Sequence, residues 1–199
     1  MGNAIVRQDS DVSDHQIPIP PRKHSTVSQA KLLLMGPPPV EYVTDEQKIF
    51  IRNSWKIIEA DIARVGVITF IQLFETHPDV KDVFMPFNGM KISELQHSKQ
   101  LQAHALRVMG FVQKCVARLD EKEKLDKLLE ELGKAHFYYG APKKYIDQVG
   151  PQFVKAIEPS LKEIWSSDLK ESWTQLFSYI SFQMRNALTA AEKAKRGSK

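Results

Sequence analysis

Two histidines carry the residue pattern in this sequence that points most directly to chemistry. His104 lies in Leu101-Gln102-Ala103-His104-Ala105-Leu106-Arg107-Val108-Met109-Gly110-Phe111-Val112. At helical spacing, Leu101, His104, Ala105, Val108, Phe111 and Val112 fall on one side. His136 ends a second run, in which Leu125, Leu128, Leu129 and Leu132 recur at i, i+3, i+4 and i+7 and His136 follows Leu132 by four. Two imidazoles therefore stand where leucines would be expected. The charged connector from Arg118 to Lys124 lets the two segments turn and face a common space. A lone histidine on an apolar face is most often a satisfied core residue. A pair on separate amphipathic helices also reads as a site for a metal or a haem, because neutral imidazole is the commonest metal ligand. Spacing alone leaves both readings open.

The elements that must position this pair are helical. Thr44-Asp45-Glu46-Gln47 is a capping-box pattern, followed by an apolar period through Ile51, Trp55 and Ile58. A second helix is predicted over about 61–75, closed by His77-Pro78, since the residue before proline is pushed out of the helical region. Pro78 can start a short turn of helix ending near Phe84, and Phe84-Met85-Pro86-Phe87-Asn88-Gly89 reads as a loop whose aromatics must bury themselves against a pocket or core edge. The two histidine helices are expected over about 98–118 and 121–137. A further helix is expected over about 143–164, kinked or interrupted at Pro159, and a last one over about 168–191. Nothing alternates at period two, so the domain is expected to be all-α with about eight helices.

Composition bounds the rest. The chain has 199 residues, 42% of them hydrophobic, enough for one domain with a real core plus extensions. Residues 1–43 hold six of the eleven prolines and no sustained apolar period, so they read as an extension in which Leu32-Leu33-Leu34-Met35 is the one apolar run. Residues 44–188 form the domain, and residues 189–199 a short basic tail. The net charge of +4 sits mainly in that tail, where Lys193, Lys195, Arg196 and Lys199 face only Glu192. Residues 1–43 sum to zero, and no basic stripe is interleaved with aromatics, which argues against a nucleic-acid partner. No run of about 18 apolar residues is present to span a bilayer. The single cysteine, Cys115, excludes an intramolecular disulfide and falls on an apolar helical position, where it reads as a small buried hydrophobe in a protein of a reducing compartment.

Taken in order, several of these pieces resemble the globins, and within them the globin X, neuroglobin and cytoglobin group. They are Ser54-Trp55, Leu73-Phe74, His77-Pro78-Asp79, Phe84, Ala103 to Gly110, Leu132-Gly133-Lys134-Ala135-His136 and Trp173, and the two histidines stand 32 residues apart, the separation that group uses. The resemblance implies a globin fold around a haem b (iron protoporphyrin). It implies that His136 is the proximal iron ligand, oriented by the Leu132 carbonyl, and that His104 is the distal histidine. It further implies that Phe84 wedges the porphyrin, that Phe70 and Val108 line the distal pocket, and that Arg107 meets a propionate. A six-coordinate His104–Fe–His136 resting state is expected, with dioxygen, nitric oxide or nitrite as small ligands and a redox, sensing or protective role. The alternative is a redox enzyme, reducing nitrite or dioxygenating nitric oxide, or a carrier passing electrons from a donor protein. The distal side offers His104 as its one proton-capable group, fewer convergent polar groups than a dedicated enzyme usually shows. Resemblance to globin X also makes Gly2 a candidate myristoylation site, although Val6 stands where serine or threonine is expected and Asn3 where a second acylated cysteine would stand. The expected location is cytoplasmic, with peripheral contact at the inner face of the plasma membrane if Gly2 is acylated.

Overall fold

A computed structural model describes residues 40–84 and 87–197. Gly2, the run Leu32–Met35, Met85 and Pro86 lie outside the described residues. Those described form eight α-helical segments and three 3₁₀ turns, with no strand among them.

The first helix, α1 (Asp45–Ile58), starts where the capping box demands. The Gln47 amide donates to Thr44 Oγ1 at 3.2 Å and the Thr44 amide donates to Gln47 Oε1 at 2.9 Å. Its buried stripe, Ile51, Ser54, Trp55 and Ile58, follows the helical period. A turn at Glu59–Asp61 leads into α2 (Ile62–Thr76). His77, held at φ −136° ahead of Pro78, ends α2, and Pro78 opens α3 (Pro78–Val83). After a short α4 (Ile92–Leu95), Ser98 caps α5 (Lys99–Ala117), accepting from the Leu101 amide at 3.4 Å. The helix α6 (Lys122–Tyr138) closes with two reverse bonds, Gly140 N–H to Phe137 O and Ala141 N–H to His136 O, both 3.0 Å. That pattern requires a left-handed residue, which Gly140 supplies at φ +72°.

The expected helix over 143–164 is instead three pieces: a 3₁₀ turn at Lys143–Gln148, α7 (Val149–Ile157), and a 3₁₀ turn at Glu158–Ile164. Pro159 lies at the second junction, and the turns keep the helical sense while changing its pitch. The last helix, α8 (Ser167–Gly197), runs past its expected end near residue 191, because alanines carry it on. Packing also begins before Thr44: Val43 is 3% exposed, and the Tyr42 hydroxyl donates to Leu119 O at 2.7 Å.

The buried side chains form two clusters, where most domains have one contiguous core. The first joins α1, α5, α6, α7 and α8 through residues such as Trp55, Val112, Leu129, Phe153 and Trp173. Within it the Trp173 indole N–H donates to Ser54 Oγ at 3.0 Å, both residues fully buried. The second gathers Phe70, Leu73, Phe74, Phe87, Leu95, Leu101 and Ala105. Half-buried side chains edge both: Phe84 and Val108 on the second, Leu132 and Phe137 on the first, and Val149 against each. A seam thus runs through the apolar interior.

Candidate functional site

Both histidines stand at that seam. On α5, Leu101, Ala105, Met109 and Val112 are fully buried and fix the helix, leaving His104 and Val108 half-buried beside them. The His104 ring stands edge-on to Phe70, with centroids 4.9 Å apart, and edge-on to Phe84 at 5.3 Å. Phe84 in turn packs against Phe70, Phe74 and Phe87 at 5.7 to 6.2 Å. The imidazole therefore sits in a phenylalanine box, held by ring edges and not by hydrogen bonds. Neither of its nitrogens bonds to any described residue. Burial, above all, pushes its pKa down to about 4, with the charges of Arg107 and then His136 adding to the shift. At neutral pH His104 is thus a neutral imidazole with a free lone pair, within electrostatic reach of His136.

On the other side of the seam, α6 presents His136 from its last turn. Nδ1 lies 2.9 Å from Leu132 O. A carbonyl can only accept, so Nδ1 is the donor, and in the neutral ring Nε2 is the nitrogen that holds the lone pair. The ring also stands edge-on to Tyr139, centroids 6.2 Å apart. The helix is set by Gly133, which faces α8 so closely that a Cβ there would lie 2.5 Å from Met184 O.

The structure groups His104 with Phe70, Phe84 and Val108, and His136 with Leu132, and brings the two groups within electrostatic reach of each other. Arg107 is exposed and pairs with no described carboxylate, which leaves its guanidinium open to an anionic group at the mouth. The donor set favours one kind of ligand. Among the described residues no group of three or more His, Cys, Asp or Glu could hold a bare ion. Two imidazoles with free nitrogens, walled by leucine, valine and phenylalanine, instead fit a flat apolar group that brings its own equatorial donors. The residues present fit a haem.

Sequence reasoning missed two neighbours of this site. Tyr145, half-buried against the second cluster, donates to Asp79 Oδ2 at 2.7 Å and, with Lys144 at 3.3 Å from the same oxygen, fastens α3 to the turn after α6. Those partners stand 66 residues apart in sequence, beyond any local signal. Tyr139 escapes notice because it lies one residue past the last helical position. Cys115, by contrast, is as expected: fully buried, its thiol pushed up to about 12 by burial.

The fold and sequence have known counterparts. The family model described as Globin matches residues 68–184. The chain is 28% identical over 151 residues to cytoglobin-2 of Danio rerio, covering 75% of this chain and 84% of that protein. It is 24% identical over 156 residues to an anaerobic nitrite reductase of Brassica napus, covering 76% and 96%. The crystal structure of a hexacoordinated haem protein from an anhydrobiotic tardigrade superposes with a TM-score of 0.70 at 21% identity, over 74% of this chain and 96% of that one. With its all-helical architecture, the chain belongs to the globin family, close to the cytoglobin and neuroglobin group.

Proposed function

We propose that this globin holds a haem b in the seam, bound at rest by both His136 and His104, and opens by release of His104 to bind dioxygen or nitric oxide. The observation that carries this reading is the pair of unspent ring nitrogens. His136 Nδ1–H donates to Leu132 O, which turns Nε2 away from this bond. His104 is neutral, unbonded and aimed by the Phe70 and Phe84 edges. The haem supplies a redox-active iron that binds diatomic ligands. The protein's own residues do the rest: His136 anchors, the phenylalanine box excludes water, Arg107 meets a propionate, and His104 competes with the ligand. Competition lowers apparent affinity by the fraction of open protein, which suits redox or sensing work better than bulk oxygen delivery.

The visible absorption spectrum of purified, haem-supplied protein, oxidised and then reduced without gas, tests this. Sharp low-spin bands that disappear in His104→Leu support the bis-histidyl state. A broad high-spin band means that His104 stands off the iron, and absence of a haem band overturns the assignment altogether. Reduction of nitrite is a second reading, favoured by the similarity to the plant protein named as a nitrite reductase. Turnover of nitrite sustained by a chemical reductant separates it from simple ligand binding. Acylation at Gly2 rests on the sequence alone, and the intact mass of the native N-terminus tests it.

A further inference from the structure

One tyrosine hydroxyl joins the turn after α6 to the helix that leads into Phe84. In the turn at Lys143–Gln148, neighbouring side chains enter different clusters: Tyr145 packs against the second, and Ile146 is buried in the first. The turn is also pinned to α8, because Ser181 Oγ donates to Ile146 O at 3.4 Å and Arg185 pairs with Asp147. It is therefore a fixed post. The helix α3 is held far less firmly, having six residues and a single buried side chain, Val80, too little to keep so short a helix in place by itself. Yet Phe84 caps its end, with its amide donating to Lys81 O at 3.1 Å, so the phenylalanine beside His104 goes where α3 goes. Among the described residues, Asp79 is where α3 is hydrogen-bonded to the post. Its Oδ2 accepts from the Tyr145 hydroxyl at 2.7 Å and from Lys144 at 3.3 Å, and Lys144 Nζ lies 4.5 Å from the centre of the Tyr145 ring. The Lys144 pair is open to water and weak, whereas the Tyr145 ring is half-buried, which makes its hydroxyl the bond that counts.

We propose that Tyr145 is a positioning residue for the haem site, its bond to Asp79 being the latch that holds the seam closed at Phe84. This rests on the haem reading above. A flat group between apolar walls can leave only when the walls part, and α3, with its one buried side chain, is a wall that parts readily. When α3 swings outward, Phe84 is carried away from His104, water enters the phenylalanine box, and the apolar contacts that retain the group are lost together. The latch opposes the first of these steps. It is charge-assisted at neutral pH, since the Tyr145 hydroxyl, above all, holds the Asp79 carboxyl below the usual carboxylate range. Tyr145 acts through α3 and Phe84, so its effect falls on how long the site stays closed.

The test follows haem transfer from the full-length, haem-loaded protein to excess apomyoglobin in the visible spectrum, with hydrogen exchange of the apoprotein read in parallel. Tyr145→Phe keeps the ring in the second cluster and removes only the hydroxyl; it should release haem about three- to tenfold faster. Asp79→Asn should move the rate in the same direction, and the double variant should be no faster than the faster single one, because both remove the same bond. Tyr42→Phe is the control for general loss of stability. It too loses a hydroxyl bond of 2.7 Å, to Leu119 O, but at the corner between α5 and α6, and it should keep the wild-type rate. In the apoprotein, the Val80 and Phe84 amides should exchange faster in Tyr145→Phe and not in Tyr42→Phe. A wild-type rate in Tyr145→Phe overturns the proposal, as does equal acceleration in Tyr42→Phe, effects that multiply in the double variant, or unchanged exchange along α3. Failure of the haem reading is seen separately, as a missing haem band before any acceptor is added, and the proposal falls with it.

Discussion

Replacing Gly133 by alanine should loosen the mounting of His136, and the geometry sets how much. The new Cβ would lie 2.5 Å from Met184 O, 2.8 Å from Ala187 Cβ and 3.0 Å from Met184 Cα. Two of these three atoms belong to the α8 backbone, so no rotamer change relieves the contact and α6 must move off α8 by roughly 1 Å to reach ordinary van der Waals separation. Overpacking of this kind costs about 1–3 kcal/mol, and the better helix propensity of alanine returns somewhat less than 1. A net loss of about 1–2 kcal/mol lowers the melting temperature by about 2–8 °C in a domain of this size. Gly110 is the control. It lies mid-helix in α5, and a Cβ there meets nothing within 4 Å, so Gly110→Ala gains the propensity without the clash and stabilises by about 0.5–1 kcal/mol. Thermal unfolding of both apoproteins, followed by circular dichroism, reads the pair. Shifts of the same sign in the two variants would refute the reasoning, because propensity and not helix approach would then decide both.

Three further outcomes follow from named contacts. The apoprotein should lose stability as pH falls through the window from 6.5 to about 4: burial depresses His104, the unfolded chain takes the proton first, and stability fully present above 6.5 is gone below 4. Discounted for partial solvent access, the loss is about 1–2 kcal/mol, and His104→Leu should flatten it; an unchanged slope in that variant rules His104 out as the cause. Ser54→Ala leaves the buried Trp173 indole N–H without its acceptor and should cost about 1–3 kcal/mol, seen as a lower urea midpoint at constant m-value. Tyr42→Phe removes the bond to Leu119 O and should cost about 1 kcal/mol by the same assay, a smaller loss because the ring keeps its 4.8 Å edge contact with Tyr179.

What was legible in the sequence is what local spacing encodes. The Thr44 capping box, the leucine series ending at His136 and the break at His77-Pro78 each need only a few neighbouring residues to act, and each stands where expected. Phe84, named from the loop, is half-buried, with its ring edge-on to His104. Less could be read where the signal is tertiary or ambiguous. The stretch 143–164 is helical in pattern, yet two 3₁₀ turns interrupt it, since i, i+3 spacing suits either pitch. The last helix is expected to end near residue 191, yet α8 continues to Gly197, with Lys195 and Arg196 in its last turn, where cations suit the helix dipole. The clasp of Asp79 by Tyr145 joins distant segments that share no local pattern.

The burial of Cys115 has a practical use. As the chain's single thiol, sealed in the core and held protonated, it leaves the surface without background for thiol chemistry. One cysteine placed on the outer face of α5 and another on that of α6 would take paired spin labels cleanly, with no need to strip the native residue first. The distance between the labels would then report, in frozen solution, whether the two histidine helices part or stay put as a ligand enters.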